Sequence, residues 1–454
     1  MSAAYLVEKY NVPVPRYTSY PTVPQWKDGI NIKPLEAIFK DQFAIENVEN
    51  GISLYIHLPF CESLCTYCGC NKKITTNHSV ENEYIDAVIN EWRLYISLMN
   101  EQPVIKEIHL GGGTPTFFSP DNLRKLLSEI LDTSRVHDQH EFSVEGHPNN
   151  TTQAHLETLY QLGFRRLSLG VQDNDPEVQR IINRIQPIEN VQRVTEIARA
   201  IGYTSVNYDL IYGLPLQSMA SITKTIEQTI ILKPDRIAFY SYAHVPWTSK
   251  GQRLFDENDL PQGDEKIKLY QKGKEIFLEH GYFDIGMDHF SLPSDDLYKA
   301  SLDGTLHRNF MGYTTSHTNM LIGLGVSSIS SSGSSFAQNA KALHTYYEYI
   351  KNGQLPIEKG CFLTDEDKRF GSYILDISCR GKTTIHSCDI KTADTYCIAA
   401  LEDLLADGLI TFDDYTIQVT KTGKNFIRNI CSALDIYLQK NKANTEKRKF
   451  SNAI

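Results

Sequence analysis

The chain has 454 residues, a formal net charge of -10, 41% hydrophobic residues and nine cysteines. Nine cysteines are too few for a disulfide scaffold of this length, and no window approaches the roughly 18 apolar residues of a membrane span. The acidic balance argues against a general nucleic-acid surface, so an anionic ligand must meet local Arg and Lys side chains. With no signal-peptide pattern in MSAAYLVEKYNVPVP, we expect a reduced, cytoplasmic protein of about two or three domains.

From about residue 51 the chain alternates short β-rich runs with helical patterns such as 82–99 and 221–232. This alternation predicts a parallel α/β architecture, because each strand is followed by a segment that can cross back over the sheet. The predicted strands are 52–58, 104–110, 141–146, 165–172, 204–213 and 235–244. Six such units are fewer than a complete eight-stranded barrel requires, and the carboxyl ends of these strands are the predicted ligand edge.

Four of the nine cysteines lie in CESLCTYCGC, directly after the first predicted strand. Cys61, Cys65 and Cys68 form a CxxxCxxC pattern, and Cys70 follows two residues later. Structural zinc usually requires a second pair of ligands, and ferredoxin-type clusters usually follow CxxCxxC with a remote fourth cysteine. A third interpretation is a [4Fe-4S] cluster bound by three cysteines, which leaves one iron open to another ligand.

The glycine-rich GGGTPT (111–116) ends the second strand unit. A dinucleotide-binding GxGxxG loop would need glycine at 116, where the chain has threonine. Farther along, the serine-rich stretch at 327–338 has the composition of a flexible loop, although Ile329 and Phe336 also allow an ordered ligand loop. After residue 355 the pattern changes to helices and one hairpin, which predicts a small winged-helix-like domain whose acidic residues argue against DNA binding.

The CxxxCxxC loop, placed after a strand and before a helix, resembles the radical S-adenosylmethionine (SAM) enzymes. The resemblance implies a [4Fe-4S] cluster on Cys61, Cys65 and Cys68 whose open iron chelates SAM. It also implies a partial (β/α)6 barrel, in agreement with the six strand units.

Motifs along nearly the whole chain resemble the oxygen-independent coproporphyrinogen III dehydrogenase family. They are RYTSYPT (16–22), YIHLPFCESLCTYCGCNK (55–72), GGGTPT, GVQD (170–173), NYDLIYGLP (207–215), YAHVP (242–246), GMDHF (286–290) and LHRNFMGYTT (306–315). The resemblance implies oxidative decarboxylation of two propionates of coproporphyrinogen III to vinyl groups by a 5'-deoxyadenosyl radical. The product would be protoporphyrinogen IX, an intermediate of haem biosynthesis.

The resemblance further implies two SAM molecules. The residues that match the first SAM site are Tyr55, Gly112, Glu145 and Ile329, and those that match the second are Tyr67, Gly113, Thr114, Gln172, Arg184, Asp209 and Ala243. Glu145 would bind ribose hydroxyls and Arg184 a carboxylate. The alternatives are an ordinary surface carboxylate for Glu145 and a solvated charge on the helical pattern DPEVQRIINRI for Arg184.

Arg16, Arg308 and Cys70 are the candidate substrate-contacting or catalytic residues, with structural pairing as the alternative for the two arginines. The chain departs from the family pattern at His147, where aspartate is expected in many relatives, and at Met311, where glutamine is common. The predicted architecture is an N-terminal extension over the barrel mouth (1–50), the barrel with a substrate-binding extension (51–355) and the helical domain (356–454).

The closest competing function is that of a haem chaperone of the same superfamily, and a haem-opening methyltransferase is a third. Cys70 and the long N-terminus favour the dehydrogenase. The resemblance implies a monomer whose partners are coproporphyrinogen III, an electron donor and an electron acceptor, and neither of the latter two is identified by the sequence.

Overall fold

The computed structural model describes residues 3–247, 249–261, 263–441 and 450–453. Within these residues, no helix combines the length and the apolar character needed to cross a membrane. The α-helices are α1 Ala3–Tyr10, α2 Ile32–Glu49, α3 Val80–Leu98, α4 Pro120–Asp132, α5 Gln153–Gln161, α6 Pro176–Ile181, α7 Ile188–Ile201, α8 Met219–Ile231, α9 Asp264–Glu279, α10 Asp296–Asp303, α11 Leu343–Lys351, α12 Asp365–Arg380, α13 Ile390–Tyr396, α14 Ile398–Ala406, α15 Ile427–Ala433 and α16 Ile436–Lys440.

The strands are β1 Lys27–Asp28, β2 Ile52–Leu58, β3 Phe60–Cys61, β4 Lys73–Ile74, β5 Val104–Gly112, β6 Arg135–Gly146, β7 Phe164–Gln172, β8 Ser205–Tyr212, β9 Arg236–Ser241, β10 Phe283–Gly286, β11 His289–Ser291, β12 His307–Asn309, β13 Gly312–Thr314, β14 Met320–Leu324, β15 Ile329–Ser332, β16 Ser335–Asn339, β17 Ile357–Phe362, β18 Lys382–Thr384, β19 Ile410–Asp413 and β20 Thr416–Val419.

The six predicted strands are confirmed as the parallel run β2-β5-β6-β7-β8-β9 at the centre of the main sheet. Most of their residues are buried, as expected of parallel strands that are covered on both faces. A further strand, β14, joins this run in parallel beside β2, and the sequence analysis did not predict it. Its five residues are all buried, so the short apolar run MLIGL belongs to the core.

The sheet does not close into a barrel. Beyond β14 it continues through the antiparallel strands β15, β16, β17 and β1, and beyond β9 through β11 and β10. Some helices begin at a side-chain cap; for example, α4 begins with Pro120, and the Ser119 side chain accepts a hydrogen bond from Asn122 N. The result is the predicted partial barrel, in which the parallel strands do not form a closed ring.

The serine-rich stretch forms an ordered β-hairpin and not a flexible loop. Strands β15 and β16 pair antiparallel through it, and Gly333 occupies the turn with a φ of 67°. The Oγ atoms of Ser332 and Ser335 lie 2.7 Å apart. The serines therefore satisfy one another across the turn, which composition alone could not indicate.

The C-terminal domain has the predicted winged-helix-like form, with α12 to α16 and the three-stranded sheet β18-β20-β19. Strand β17 pairs with β16, so the main sheet extends through Phe362 and past the predicted boundary at residue 355. The N-terminal helix α1 joins this domain, because Leu6 and Val7 are buried in its core. Tyr10 donates a 2.6 Å hydrogen bond to Asp407, and Tyr17 donates one of 3.1 Å to Asp435.

Candidate functional site

The cysteine loop is held against the barrel by its backbone. Thr66 N donates to Ile182 O over 3.0 Å, and Asn183 donates to Leu64 O over 2.8 Å. On the other side, Ser249 donates to Cys68 O over 3.0 Å and Gln252 to Tyr67 O over 2.9 Å. The loop is therefore positioned by segments that follow β7 and β9, more than a hundred residues away, before any ligand binds.

The thiols of Cys61, Cys65 and Cys68 are half-buried, whereas Cys70 is exposed. Thr114 Oγ1 lies 3.3 Å from the Cys61 sulfur, and an Arg184 nitrogen lies 3.7 Å from the Cys65 sulfur. The hydrogen bond from Cys70, together with the Lys72 ammonium, lowers the pKa of Cys68 to about 6. Burial raises the pKa of Cys61 to about 11, and the hydrogen bond from Thr114, which stabilises the thiolate, opposes this effect.

These surroundings fit an anionic iron-sulfur cluster, because hydroxyl and cationic donors stabilise thiolate ligands. Among the described residues, no three His, Cys, Asp or Glu side chains form a group that could hold a single metal ion. A cubane cluster takes one thiolate per iron, so its three cysteines need not converge on one point. Cys70 is exposed and forms a hydrogen bond with Cys68, and its place outside the ligand set remains a prediction.

The glycine-rich turn after β5 passes directly against the cysteine loop. A Cβ at Gly113 would lie 2.6 Å from the Pro59 carbonyl, and one at Gly112, which has a φ of 114°, would lie 2.7 Å from the His57 ring. Glycine is therefore required at both positions for close backbone approach. Thr114 follows immediately, and its hydroxyl contacts Cys61 as described above.

We predict that Gly113→Ala weakens SAM binding by tenfold or more and lowers stability by about 1 to 3 kcal/mol, because the new methyl group overpacks the turn against Pro59. Gly69→Ala is the matched control, since a Cβ there meets no atom of the described part of the chain within 4 Å. SAM affinity by equilibrium dialysis and thermal unfolding check the prediction. If Gly113→Ala has the SAM affinity and thermal stability of the wild type, the turn accommodates the methyl group and the prediction is wrong.

Glu145 lies at the end of β6, and its side chain is half exposed. It contacts other residues of the site, so it is not an ordinary surface carboxylate. Its carboxylate accepts from Gly112 N over 3.3 Å and lies 3.2 Å from His109 Nε2. Tyr55 stacks on His109, with ring centroids 5.9 Å apart, and its hydroxyl lies 3.0 Å from His57 Nδ1. The structure thus brings three of the predicted first-site residues together.

Gln172 is the last residue of β7, and Asp209 lies in the C-terminal half of the neighbouring strand β8. Gln172 has a φ of 67°, a left-handed conformation that turns the chain at the strand end. Asp209 accepts hydrogen bonds from Ser168 and Asn207, two polar residues that the sequence analysis missed. Burial, with the charge of Glu145, raises the pKa of Asp209 to about 6.

Arg184 does not lie on a solvated helix face, so that alternative is wrong. It follows α6, whose helical conformation ends at Ile181, and Asn183 has a φ of 52°. The guanidinium donates a 2.5 Å hydrogen bond to Gly170 O and lies beside Cys65, while its buried Nε has no partner among the described residues. A cation placed here with an unused donor fits an anionic ligand beside the cysteines.

The remaining predicted cofactor-binding residues contribute mainly backbone groups to the site; they are Ala243, Tyr67 and Ile329. Ala243 O and Tyr67 O both accept from Gln252 Nε2, so this buried glutamine links the two segments. Ile329 begins β15, and a Cβ at Gly323 would lie 2.4 Å from its carbonyl oxygen. Gln252 was missed by sequence reasoning because its role depends on a loop that folds back over the cysteines.

The two departures from the family pattern have different consequences. His147 Nδ1 accepts a 3.2 Å hydrogen bond from Asn149 N, which is the turn contact that an aspartate would make. Burial, with the nearby Arg184, lowers the pKa of His147 to about 3, so the ring is neutral. Met311 lines a cavity of about 520 Å³ and a smaller one that is also lined by Glu145 and Asp209, and there it presents an apolar surface.

The cavity of about 520 Å³ lies over the ends of β8 and β9. Arg16 and Arg308, the two candidate substrate-contacting arginines, both line it, and Arg16 donates to Ser241 O over 2.9 Å. Arg308 donates to the carbonyls of Arg16 and Tyr17 over 2.8 Å, so it also holds the N-terminal segment. The sequence analysis missed Asp288 and the C-terminal residues Lys424 and Arg428, which complete the walls.

A three-cysteine loop at the mouth of a parallel partial barrel, beside a glycine turn, defines a radical SAM protein. Residues 55–229 match the family model described as Radical SAM superfamily. The chain is 38% identical to the oxygen-independent coproporphyrinogen III oxidase of Pseudomonas aeruginosa over 96% of each chain, and 37% identical to that of Synechocystis over 100% of this chain and 98% of the other. The solved coproporphyrinogen III oxidase of Escherichia coli, described as a radical SAM enzyme, superposes with a TM-score of 0.87 at 36% identity over 93% of this chain and 98% of that one. The chain belongs to the family of oxygen-independent coproporphyrinogen III oxidases.

Proposed function

We propose that the protein oxidatively decarboxylates two propionates of coproporphyrinogen III to vinyl groups and releases protoporphyrinogen IX. The observation that carries the proposal is the cavity of about 520 Å³ lined by Arg16, Arg308 and Arg428, in a chain whose overall charge is -10. A tetrapyrrole with four carboxylates needs a large apolar site with cationic edges. Tyr212, Tyr240, Phe310 and Phe426 supply the apolar walls.

The proposed cofactors are a [4Fe-4S] cluster on Cys61, Cys65 and Cys68 and two SAM molecules on the residues described above. When bound, these groups supply a 5'-deoxyadenosyl radical, which removes a hydrogen atom from an unactivated carbon. Gly112, Gly113 and Thr114 present backbone and hydroxyl groups at one end of the SAM sites, and Glu145 and Asp209 present carboxylates for ribose hydroxyls. Arg184 provides a cation beside Cys65 for a SAM carboxylate.

The chain's own contribution to the reaction is to orient the propionate and exclude water. Arg16 is anchored on Ser241 at the end of β9, so its guanidinium fixes one wall of the cavity close to the cofactor edge of the barrel. The N-terminal segment, held by Arg308 and the C-terminal domain, lines one side of the cavity. A wall at this position would help to protect a carbon radical from solvent and from side reactions.

The direct test is anaerobic reconstitution followed by incubation with coproporphyrinogen III, SAM and a one-electron reductant. We expect a divinyl product, with consumption of SAM and release of carbon dioxide. Tight one-to-one haem binding without a vinyl product would instead identify a haem chaperone. We also propose a monomeric, cytoplasmic enzyme with separate electron donor and acceptor partners, which size-exclusion chromatography and fractionation would check.

A further inference from the structure

An acidic residue lies in the wall of the cavity that we propose for a tetra-anionic substrate. Asp288 lines this cavity together with the cations Arg16, Arg308 and Arg428. A carboxylate at this place repels propionates, so its presence calls for a partner of another kind. The other acid of the cavity wall, Asp284, already has one, because Lys274 Nζ lies 2.6 Å from its carboxylate.

The backbone places Asp288 in the connection between β10 and β11. Met287 and Asp288 have φ values of 38° and 71°, so two consecutive residues without the freedom of glycine adopt left-handed conformations. Such conformations cost about 1 kcal/mol or more each and are maintained where the surrounding structure requires them. The Asp288 carbonyl accepts a 2.7 Å hydrogen bond from Phe239 N on β9, which fixes the turn to the barrel.

The Asp288 carboxylate remains available to bind a ligand. Among the described residues, no hydrogen bond or ion pair to the Asp288 side chain is found, and its pKa is affected by burial and by the charges of Arg16, Arg428, Asp284 and Arg308. Asp288 in turn acts through its charge on the pKa of Lys266. His289, the next residue, has its pKa lowered to about 4 by burial and is therefore neutral. Burial raises the pKa of Asp288, and the arginines oppose this effect.

We propose that Asp288 binds the centre of the reduced tetrapyrrole by accepting hydrogen bonds from its pyrrole N–H groups. This inference rests on the proposed function. A porphyrinogen carries four N–H donors directed toward the ring centre, and a carboxylate has two oxygens that can accept from several donors at once. The arginines then bind the peripheral carboxylates while Asp288 binds the centre.

The same contact discriminates between oxidation states of the macrocycle. The oxidised porphyrin has two N–H groups and two imine nitrogens, whose lone pairs repel a carboxylate. Asp288 therefore favours coproporphyrinogen III over coproporphyrin III, which carries the same four propionates. Propionate contacts alone would not distinguish these two ligands.

The test measures the dissociation constants of both ligands for the cluster-loaded protein, anaerobically and without SAM, so that no turnover occurs. For Asp288→Ala we expect coproporphyrinogen III to bind at least tenfold more weakly, since hydrogen bonds to a charged group contribute about 1.5 to 3 kcal/mol. Coproporphyrin III should bind with unchanged or tighter affinity. Asp288→Asn, which preserves the shape and one acceptor oxygen, should show a smaller loss of selectivity.

Asp284→Asn is the matched control and should leave the ratio of the two affinities unchanged. Equal weakening of both ligands in Asp288→Ala and Asp288→Asn would overturn the proposal and make Asp288 a counter-ion of the arginines. Circular dichroism and iron content of both variants separate these results from misfolding, and loss of fold in both would likewise assign a structural role. If the wild type binds neither tetrapyrrole, the proposed function fails first and this inference fails with it.

Discussion

Cys65→Ser is expected to lose the cluster and with it all detectable decarboxylation. A serine hydroxyl remains protonated near neutral pH and is a poor ligand for iron in a sulfur cluster, so only two thiolates would remain. The loop itself should stay folded, because Thr66, Tyr67 and Cys68 are held through their backbone by Ile182, Gln252 and Ser249. Iron and sulfide content, the charge-transfer absorbance and product formation check the result.

Cys61→Ser and Cys68→Ser should behave as Cys65→Ser does, and Cys70→Ser is the matched control. Cys70 is exposed and lies beside Cys68, so its removal should leave the iron content unchanged. A fourth thiolate on the cluster would occupy the iron that SAM needs, which is the reason to expect a non-ligand at 70. Full iron retention in Cys65→Ser, or cluster loss in Cys70→Ser, would contradict the three-cysteine assignment.

Arg16→Gln is expected to separate SAM cleavage from product formation. The variant should still cleave SAM slowly, because the cluster and SAM residues lie from residue 55 onwards, but divinyl product should fall about 100-fold or more. Losing a buried charge contact to a carboxylate costs about 2 to 5 kcal/mol, and each 1.4 kcal/mol corresponds to a factor of ten. Measuring 5'-deoxyadenosine and protoporphyrinogen in one anaerobic reaction gives both quantities.

Two comparisons sharpen this experiment. Arg16→Lys keeps the charge without the planar fork and should recover part of the product yield. Arg380→Gln removes an exposed arginine that binds Gly304 O, outside the cavity, and should leave both activities unchanged. If Arg16→Gln decarboxylates at the wild-type rate, Arg16 has only a structural role.

A point variant is a cleaner probe than removal of residues 1–22. Leu6, Val7, Tyr10 and Tyr17 are buried in the core of the C-terminal domain, so deletion would expose that core as well as the cavity. Arg428 adds to this link, since its guanidinium donates to Val14 O over 2.5 Å and to Pro15 O over 3.3 Å. The segment is thus an integral wall of the cavity and not a detachable cover.

The features that could be predicted from the amino-acid sequence are those determined by the spacing of residues that are close together in the chain. The six apolar runs predicted the six central strands, and the spacing of Cys61, Cys65 and Cys68 limited the loop to a few kinds of metal site. Residues in the C-terminal half of each parallel strand lie towards the same edge of the sheet, because parallel strands all end there. Glu145, Gln172 and Asp209 were predictable for that reason, although they are far apart in the sequence.

Packing between distant segments decided the rest. Strand β14 is too short to be distinguished from a buried turn until its pairing with β2 is known, and the serine-rich stretch becomes a hairpin only against its own partner strand. From the sequence alone, Arg184 resembles a surface charge on a helix. In the structure the chain turns at Asn183, and this turn places the Arg184 guanidinium beside Cys65. Arg16, Asp288 and Arg428 line the same cavity, although they come from three separate parts of the chain. Sequence periodicity cannot predict this arrangement, because it depends on how the C-terminal domain packs against the barrel.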